Sequence, residues 1–172
     1  MKQKTLLPCI FILLITASLF PSARAADGNK WLGTFQDWHA QAYKDGARSG
    51  CYIISEPKSE KGNYTKRGDV YVLVSISSKE RIGIVTLHAG YPFREDSEVS
   101  VDIDGKSQKL LTSNEIAWAY EGQDQPFIER MRNGKKMIVV GFSTRGTKTT
   151  DTYSLFGFTQ AYETILKHQQ CK

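Results

Sequence analysis

Apolar residues alternate with polar ones along much of this chain, and the alternation predicts strands. Val70, Val72, Val74 and Ile76 fall on one face of a strand over 69–76, with Tyr71 and Leu73 on the other. Two apolar faces place that strand inside a sheet rather than at its edge. Val99, Val101 and Ile103 alternate with Ser100 and Asp102, as a half-exposed strand does. Asp104-Gly105 supplies a pair that accepts positive φ in a tight hairpin, so 106–112 returns antiparallel. Further strands are predicted over 35–43, 51–55, 82–89, 116–119, 136–143 and 149–156. The charged stretch from Glu56-Pro57 to Gly68 reads as a long loop or wide hairpin arm.

Two segments carry a helical period instead. One runs over 125–132, with Asp124 placed to cap it, Pro126 in its first turn and Asn133-Gly134 as a stop. Phe127, Ile128 and Met131 face the core there. The other runs over 159–169, where Phe158, Ala161, Tyr162, Ile165 and Leu166 form the stripe of a surface helix. About nine strands and two short helices, one of them C-terminal, predict a mainly β fold. The expected architecture is an antiparallel, β-sandwich-like single domain, with a partly open barrel as the alternative.

The first 25 residues change this picture because they do not belong to the fold. Lys2 and Lys4 precede an apolar run from Leu6 to Phe20, and Ala23-Arg24-Ala25 offers small residues where a signal peptidase reads. The run is too short for a membrane anchor, which needs roughly 20 residues. A signal peptide over 1–25, cleaved after Ala25, is therefore expected, leaving a domain over 26–172 with no transmembrane segment. Its loss takes the formal charge from +5 to about +2, and a domain so near neutral has no field to gather nucleic acid. Cys9 leaves with the leader. Cys51 and Cys171 remain, and in an exported chain such a pair reads as one disulfide, with two free buried thiols as the alternative.

Candidate chemistry is sparse. Asp102 and Asp104-Gly105 lack the third oxygen ligand and the distal Glu of a calcium loop. Gly141-Phe142-Ser143-Thr144-Arg145-Gly146 lacks the spacing of a nucleophile elbow. His39, His88 and His168 are far apart and match no zinc pattern. No catalytic, cofactor or metal residue is expected. Two features suit binding. Arg145 and Lys148 lie among Thr144, Thr147, Thr149 and Thr150 in a basic, hydroxyl-rich turn fitted to a sulfate, phosphate or sugar. Trp31 and Trp38 lie in an aromatic-rich stretch that is either core or an exposed anchor surface. Lys58, Lys61, Lys66 and Arg67 interleave with acids and read as a solvated arm.

Four segments resemble the invasion-associated locus B family, exported proteins of α-proteobacteria. Phe35-Gln36-Asp37-Trp38 is similar to that family's Phe-Gly-Asp-Trp opening, with Gln36 in place of Gly. Ile103-Asp104-Gly105 resembles its Ile-Asp-Gly hairpin, and Asn133-Gly134-Lys135-Lys136 its helix-ending Lys-Lys segment. Ser154-Leu155-Phe156-Gly157-Phe158-Thr159 resembles its closing Ser-Leu-x-Gly-Phe-Thr. The cysteine pair often found in relatives before the helix is absent between Leu111 and Gln125, so their disulfide pattern does not carry over. The resemblance implies export, a β-rich domain and a name drawn from host-cell invasion, but no reaction. The expectation is a non-enzymatic periplasmic protein, alternatively secreted or outer-membrane associated, that binds an envelope or host-surface partner. An envelope hydrolase with a site assembled from distant residues is the alternative.

Overall fold

The computed structural model describes residues 28–77, 83–168 and 171. The expected leader, including Ala25 and the start at Ala26, lies outside them. The elements in chain order are β1 (Lys30–Phe35), β2 (Trp38–Asp45), β3 (Arg48–Ser55), β4 (Ser59–Gly62), β5 (Tyr71–Ser77), β6 (Gly83–His88), β7 (Val99–Ile103), β8 (Lys106–Ser113), β9 (Ile116–Trp118), α1 (Asp124–Asn133), β10 (Lys136–Phe142), β11 (Lys148–Ser154) and α2 (Phe158–Lys167). The strands form one open antiparallel sheet in the order β1-β2-β3-β5-β6-β9-β8-β7-β10-β11-β4. Mainly β with two helices, one of them C-terminal, is the architecture the patterning predicts.

Two strands were not legible in the sequence. The apolar run expected as a single strand over 35–43 is broken at Gln36-Asp37, where Gln36 takes φ 52° and Phe35 pairs directly with Trp38. Phe35 ends β1, and the turn sets it apart from β2, because Asp37 is anchored from outside the run. The Ser55 hydroxyl donates to the Asp37 carbonyl (2.6 Å), and Lys58 forms an ion pair with its carboxylate. The other surprise is β4, part of the stretch expected as a loop or hairpin arm. It pairs with β11 from Thr149↔Gly62 to Thr152↔Ser59. Its partner lies about ninety residues away, beyond the reach of local patterning.

The sandwich-like impression comes from one strand. Lys106 to Leu110 of β8 pair with β7, while Leu111 to Ser113 pair with β9. The sheet bends there, and the inner faces of its two halves share a single core with both helices. Val72, Val74 and Ile76 of β5 are buried there, and β5 lies between β3 and β6, as its two apolar faces predict. Phe127, Ile128 and Met131 of α1 join them, with Phe158, Ala161, Tyr162 and Ile165 of α2. Gly83 lets the helices approach, since a Cβ there would lie 2.5 Å from Ile128 and 2.6 Å from Tyr162.

Asp124 does not cap α1. Gln123 occupies the N-cap position with no side-chain cap bond, and the Asp124 carboxylate accepts the Val85 N–H at 2.8 Å. It thereby ties α1 to β6 rather than closing the helix's own first turn. Cys51 on β3 and Cys171 beyond α2 are joined in a disulfide, with Cα atoms 5.5 Å apart. The bond fastens the chain end that follows α2 to the middle of the sheet. No helix among the described residues is long and apolar enough to cross a membrane.

Candidate functional site

The four family-like segments meet in pairs, and each pair is a structural lock. Trp38 is fully buried. Its Nε1–H donates to the Ser154 carbonyl (3.1 Å), and its ring meets Phe158 edge-on at 4.8 Å. The Asp37 N–H reaches the Phe156 carbonyl. Lys58, then Ser154, hydrogen-bond the Asp37 carboxyl and hold it below the usual carboxylate range. Gly157 has φ 90°, and a Cβ there would overlap the Phe35 carbonyl oxygen. The opening and closing motifs are thus two sides of one junction. Likewise, the Asp104 carboxylate accepts the N–H groups of Lys135 (2.7 Å) and Lys136 (3.2 Å), docking the β7–β8 hairpin on the end of α1. Trp38, which the sequence left between core and anchor, belongs to the core.

A groove of about 810 Å³ opens elsewhere, where four separate segments converge. They are the arm over 63–68, the corner over 90–92, the turn over 143–147 and Glu115. Two glycines bring the arm to the corner: the Gly68 N–H donates to the Gly90 carbonyl at 2.9 Å, and Gly90 takes φ 68°. A Cβ on Gly90 would lie 2.5 Å from the Gly68 oxygen.

Beneath the groove lies a buried ion pair. Arg67 donates bidentately to Asp151 (2.6 and 2.7 Å), and their side chains are only 4% and 5% exposed. Its Nε–H donates to the Ala89 carbonyl (2.6 Å), and Nη1 also reaches Glu60 at 3.3 Å. Burial works against the guanidinium charge, but the bonds to Asp151 outweigh it and hold the group protonated. The guanidinium lies 5.0 Å from the Tyr91 ring centroid and 5.6 Å from that of Tyr64. Tyr91 in turn shares a 2.6 Å hydrogen bond with Thr149, and burial pushes its phenol up. Arg67 is therefore scaffold: its donors are committed, and it fixes two aromatic rings of the groove.

The cations left to face a ligand are Lys66 and Arg145, both exposed, both lining the groove, and neither ion-paired among the described residues. Ser143, Thr144 and Thr147 add hydroxyls beside them. The basic turn read from the sequence thus supplies Arg145 to the site. Lys148 is exposed on β11 next to it but does not line the groove. The arm over 63–68, read as solvated, supplies the other cation. Its convergence with the turn was not readable, since both meet at the corner over 90–92, through the Gly68–Gly90 and Thr144–Pro92 backbone bonds, which no local pattern links. Trp31 is 54% exposed on β1, at the opposite end of the strand order from β4.

None of the three histidines lines the groove. His39 shares a 3.0 Å hydrogen bond with Thr34 and lies beside Trp31. His88 stacks on Tyr71 at 4.2 Å, and burial lowers its pKa against the opposing pull of Glu115. His168 lies by the cysteines, its ring nitrogen and their sulfurs all within 4.8 Å of one another. With the sulfurs bonded to each other, that cluster offers no thiolate to an ion.

Fold and groove together define a class: mainly β proteins built on one open antiparallel sheet and two helices, with a groove where loops meet. The sequence profile of the invasion associated locus B protein matches residues 38–166. The chain belongs to that family. The crystal structure of invasion associated protein b from Bartonella henselae is similar in fold, with a TM-score of 0.52 and 15% identity. The match covers 78% of this chain and 94% of that one. No curated protein sequence matches the chain.

Proposed function

We propose that this protein is an exported, non-enzymatic binding protein of the bacterial envelope, periplasmic or at the cell surface. Its groove holds an acidic, hydroxyl-rich ligand such as an anionic saccharide of the envelope or of a host surface. The observation that carries this reading is the pairing of Lys66 and Arg145, from separate segments, in one groove with hydroxyl side chains and two tyrosine rings. Cations recognise carboxylate, sulfate or phosphate; hydroxyls and ring faces recognise sugar rings. Export is supported by the family and by the Cys51–Cys171 bond, which suits an oxidising compartment.

The hydrolase alternative needs a base beside a nucleophile. Ser143 lines the groove, but its hydroxyl accepts the Thr147 N–H (3.2 Å) as part of the turn, and the acid lining the groove is Glu115. With His39, His88 and His168 elsewhere, binding accounts for the groove better than catalysis does.

Calorimetric titration of the mature protein decides the matter, using an acidic oligosaccharide, a neutral one of equal length and inorganic phosphate. The acidic sugar should bind best, and more weakly as salt rises. Two charge-assisted contacts at about 1.5 kcal/mol each imply a loss of roughly 100-fold in the Lys66→Ala/Arg145→Ala variant. Equal affinity of that variant, or no preference for the acidic sugar, would overturn the proposal. Shortening of the sugar during incubation would promote the hydrolase.

A further inference from the structure

The outward face of the β2-to-β9 half of the sheet carries a second message, independent of the groove. Register aligns His39, Ile54, Leu73, Thr86, Trp118 and Leu111 in one row across six strands. The rows on either side add Tyr52 and Ile84, and Tyr71 and Ile116. Among the described residues that these pairings align, from the row of Tyr43, Gly50 and Ser77 to the row of Tyr71, His88, Ile116 and Ser113, no outward position holds Lys, Arg, Asp or Glu. The chain as a whole is 24% charged, so a wet sheet face would be expected to carry several charges.

Nothing described covers this face. Both helices pack on the other side, where Trp38 meets Phe158 of α2, and Gly83 faces Ile128 of α1 and Tyr162 of α2. Ile84 remains 43% exposed, and Trp31 extends the patch onto β1, 5.3 Å from His39. Aromatic enrichment with depletion of charge marks the buried centre of a protein–protein interface.

We infer that this face is the contact surface for a second copy of the chain, packed sheet against sheet about a two-fold axis. A face with no charge meets its own copy without burying an unpaired ion, whereas it offers a charged partner nothing to pair with. The size fits as well. Four strands of about 17 Å and the three-residue stretches of β9 and β8 of about 10 Å, at about 4.8 Å spacing, give a flat footprint of roughly 400 Å². The half-buried side chains standing above that plane, with Trp31 beyond it, add area, and the face suits an interface at the small end of the specific range, below the roughly 800 Å² per partner of a standard one.

Sedimentation of the mature protein tests this across a range of concentrations. A dimer should form by roughly 10 μM. Ile84→Arg should weaken it at least tenfold while melting near the wild-type temperature, because the position is open in the monomer. Trp31→Ala, also at an open position, should weaken it less. Lys61→Ala, exposed on β4 at the far end of the strand order, should leave it intact. A wild-type chain that stays monomeric at millimolar concentration would refute the inference. So would an Ile84→Arg chain that dimerises as before. If the wild-type monomer instead co-sediments with zwitterionic lipid vesicles and Ile84→Arg does not, the face belongs to a membrane and the dimer is wrong.

Discussion

Replacing Asp151 by alanine strips the partner from a buried arginine. Asp151 supplies both oxygens of a bidentate pair, at 2.6 and 2.7 Å, and the guanidinium it faces is almost sealed from water. Glu60 is a weak substitute, at 3.3 Å to one nitrogen and on a more exposed side chain. Truncating one member of a buried ion pair costs about 3–5 kcal/mol, because the remaining charge is left in low dielectric. At roughly 2–4 °C per kcal/mol for a chain of this size, Tm should fall by roughly 6–20 °C. Removing both charges in Arg67→Met/Asp151→Leu leaves no buried unpaired ion, since Glu60 is partly exposed. That chain should therefore melt above Asp151→Ala, although it loses the bond to Ala89. Thermal and urea unfolding, read by circular dichroism, measure all three. An Asp151→Ala chain melting within about 2 °C of wild type would falsify the assignment of Arg67 as a buried, charge-paired scaffold.

Three further outcomes follow from other parts of the molecule. Gly157→Ala combines a φ of 90° with overlap on the Phe35 carbonyl, whereas Gly146→Ala meets only its φ of 78°, with nothing within 4 Å. The first should cost about 2–4 kcal/mol and the second about 1, and equal melting shifts would contradict the close packing of the two motifs. Cys51→Ser/Cys171→Ser opens a link between residues 120 apart, so the chain-entropy estimate gives a loss of roughly 4–5 kcal/mol, less whatever the native state recovers by relaxing. Two thiol labels per wild-type chain under denaturing, non-reducing conditions would show that the bond is absent. Burial raises the phenols of Tyr52, Tyr71, Tyr91, Tyr153 and Tyr162 above their ordinary value near 10. The unfolded chain releases those protons first, so stability should fall as pH rises past about 10. A melting temperature unchanged between neutral pH and that range, with tyrosinate absorbance already developed in the folded protein, would count against burial of these rings.

The locks at Trp38–Ser154 and Asp104–Lys135 explain why short motifs spread along the chain identify its family yet name no reaction. Trp38 and Asp104 each spend their side-chain hydrogen bonds on another motif. The cations that line the groove, Lys66 and Arg145, lie outside those segments.

The sequence alone determined what depends on neighbours along the chain. Period-two alternation located β5 and β7, the hairpin turn after β7 located β8, and the stripe of Phe158, Ala161, Tyr162 and Ile165 located α2. The Asp104-Gly105 turn was legible because both residues take positive φ, at 48° and 89°. Pairing of Cys51 with Cys171 followed from counting thiols in an exported chain. Tertiary structure decided the rest. The Phe35–Tyr43 run could not announce its turn, because the groups that anchor Asp37 come from Ser55, Lys58 and Phe156. β4 carries no alternation, because an edge strand with mostly exposed residues exists only through its ladder to β11. Asp124 has the chemistry of a cap, but the Val85 N–H is the donor it meets. Lys66 and Arg145 share a groove because Gly68 and Gly90 let the arm touch the corner over 90–92, to which the Thr144 N–H ties the turn through the Pro92 carbonyl (3.0 Å). The charge-free face is written in every second residue of six strands, but only the register shows that those residues lie side by side. Local pattern fixes which side of a strand is apolar; long-range pairing alone fixes which sides become one surface.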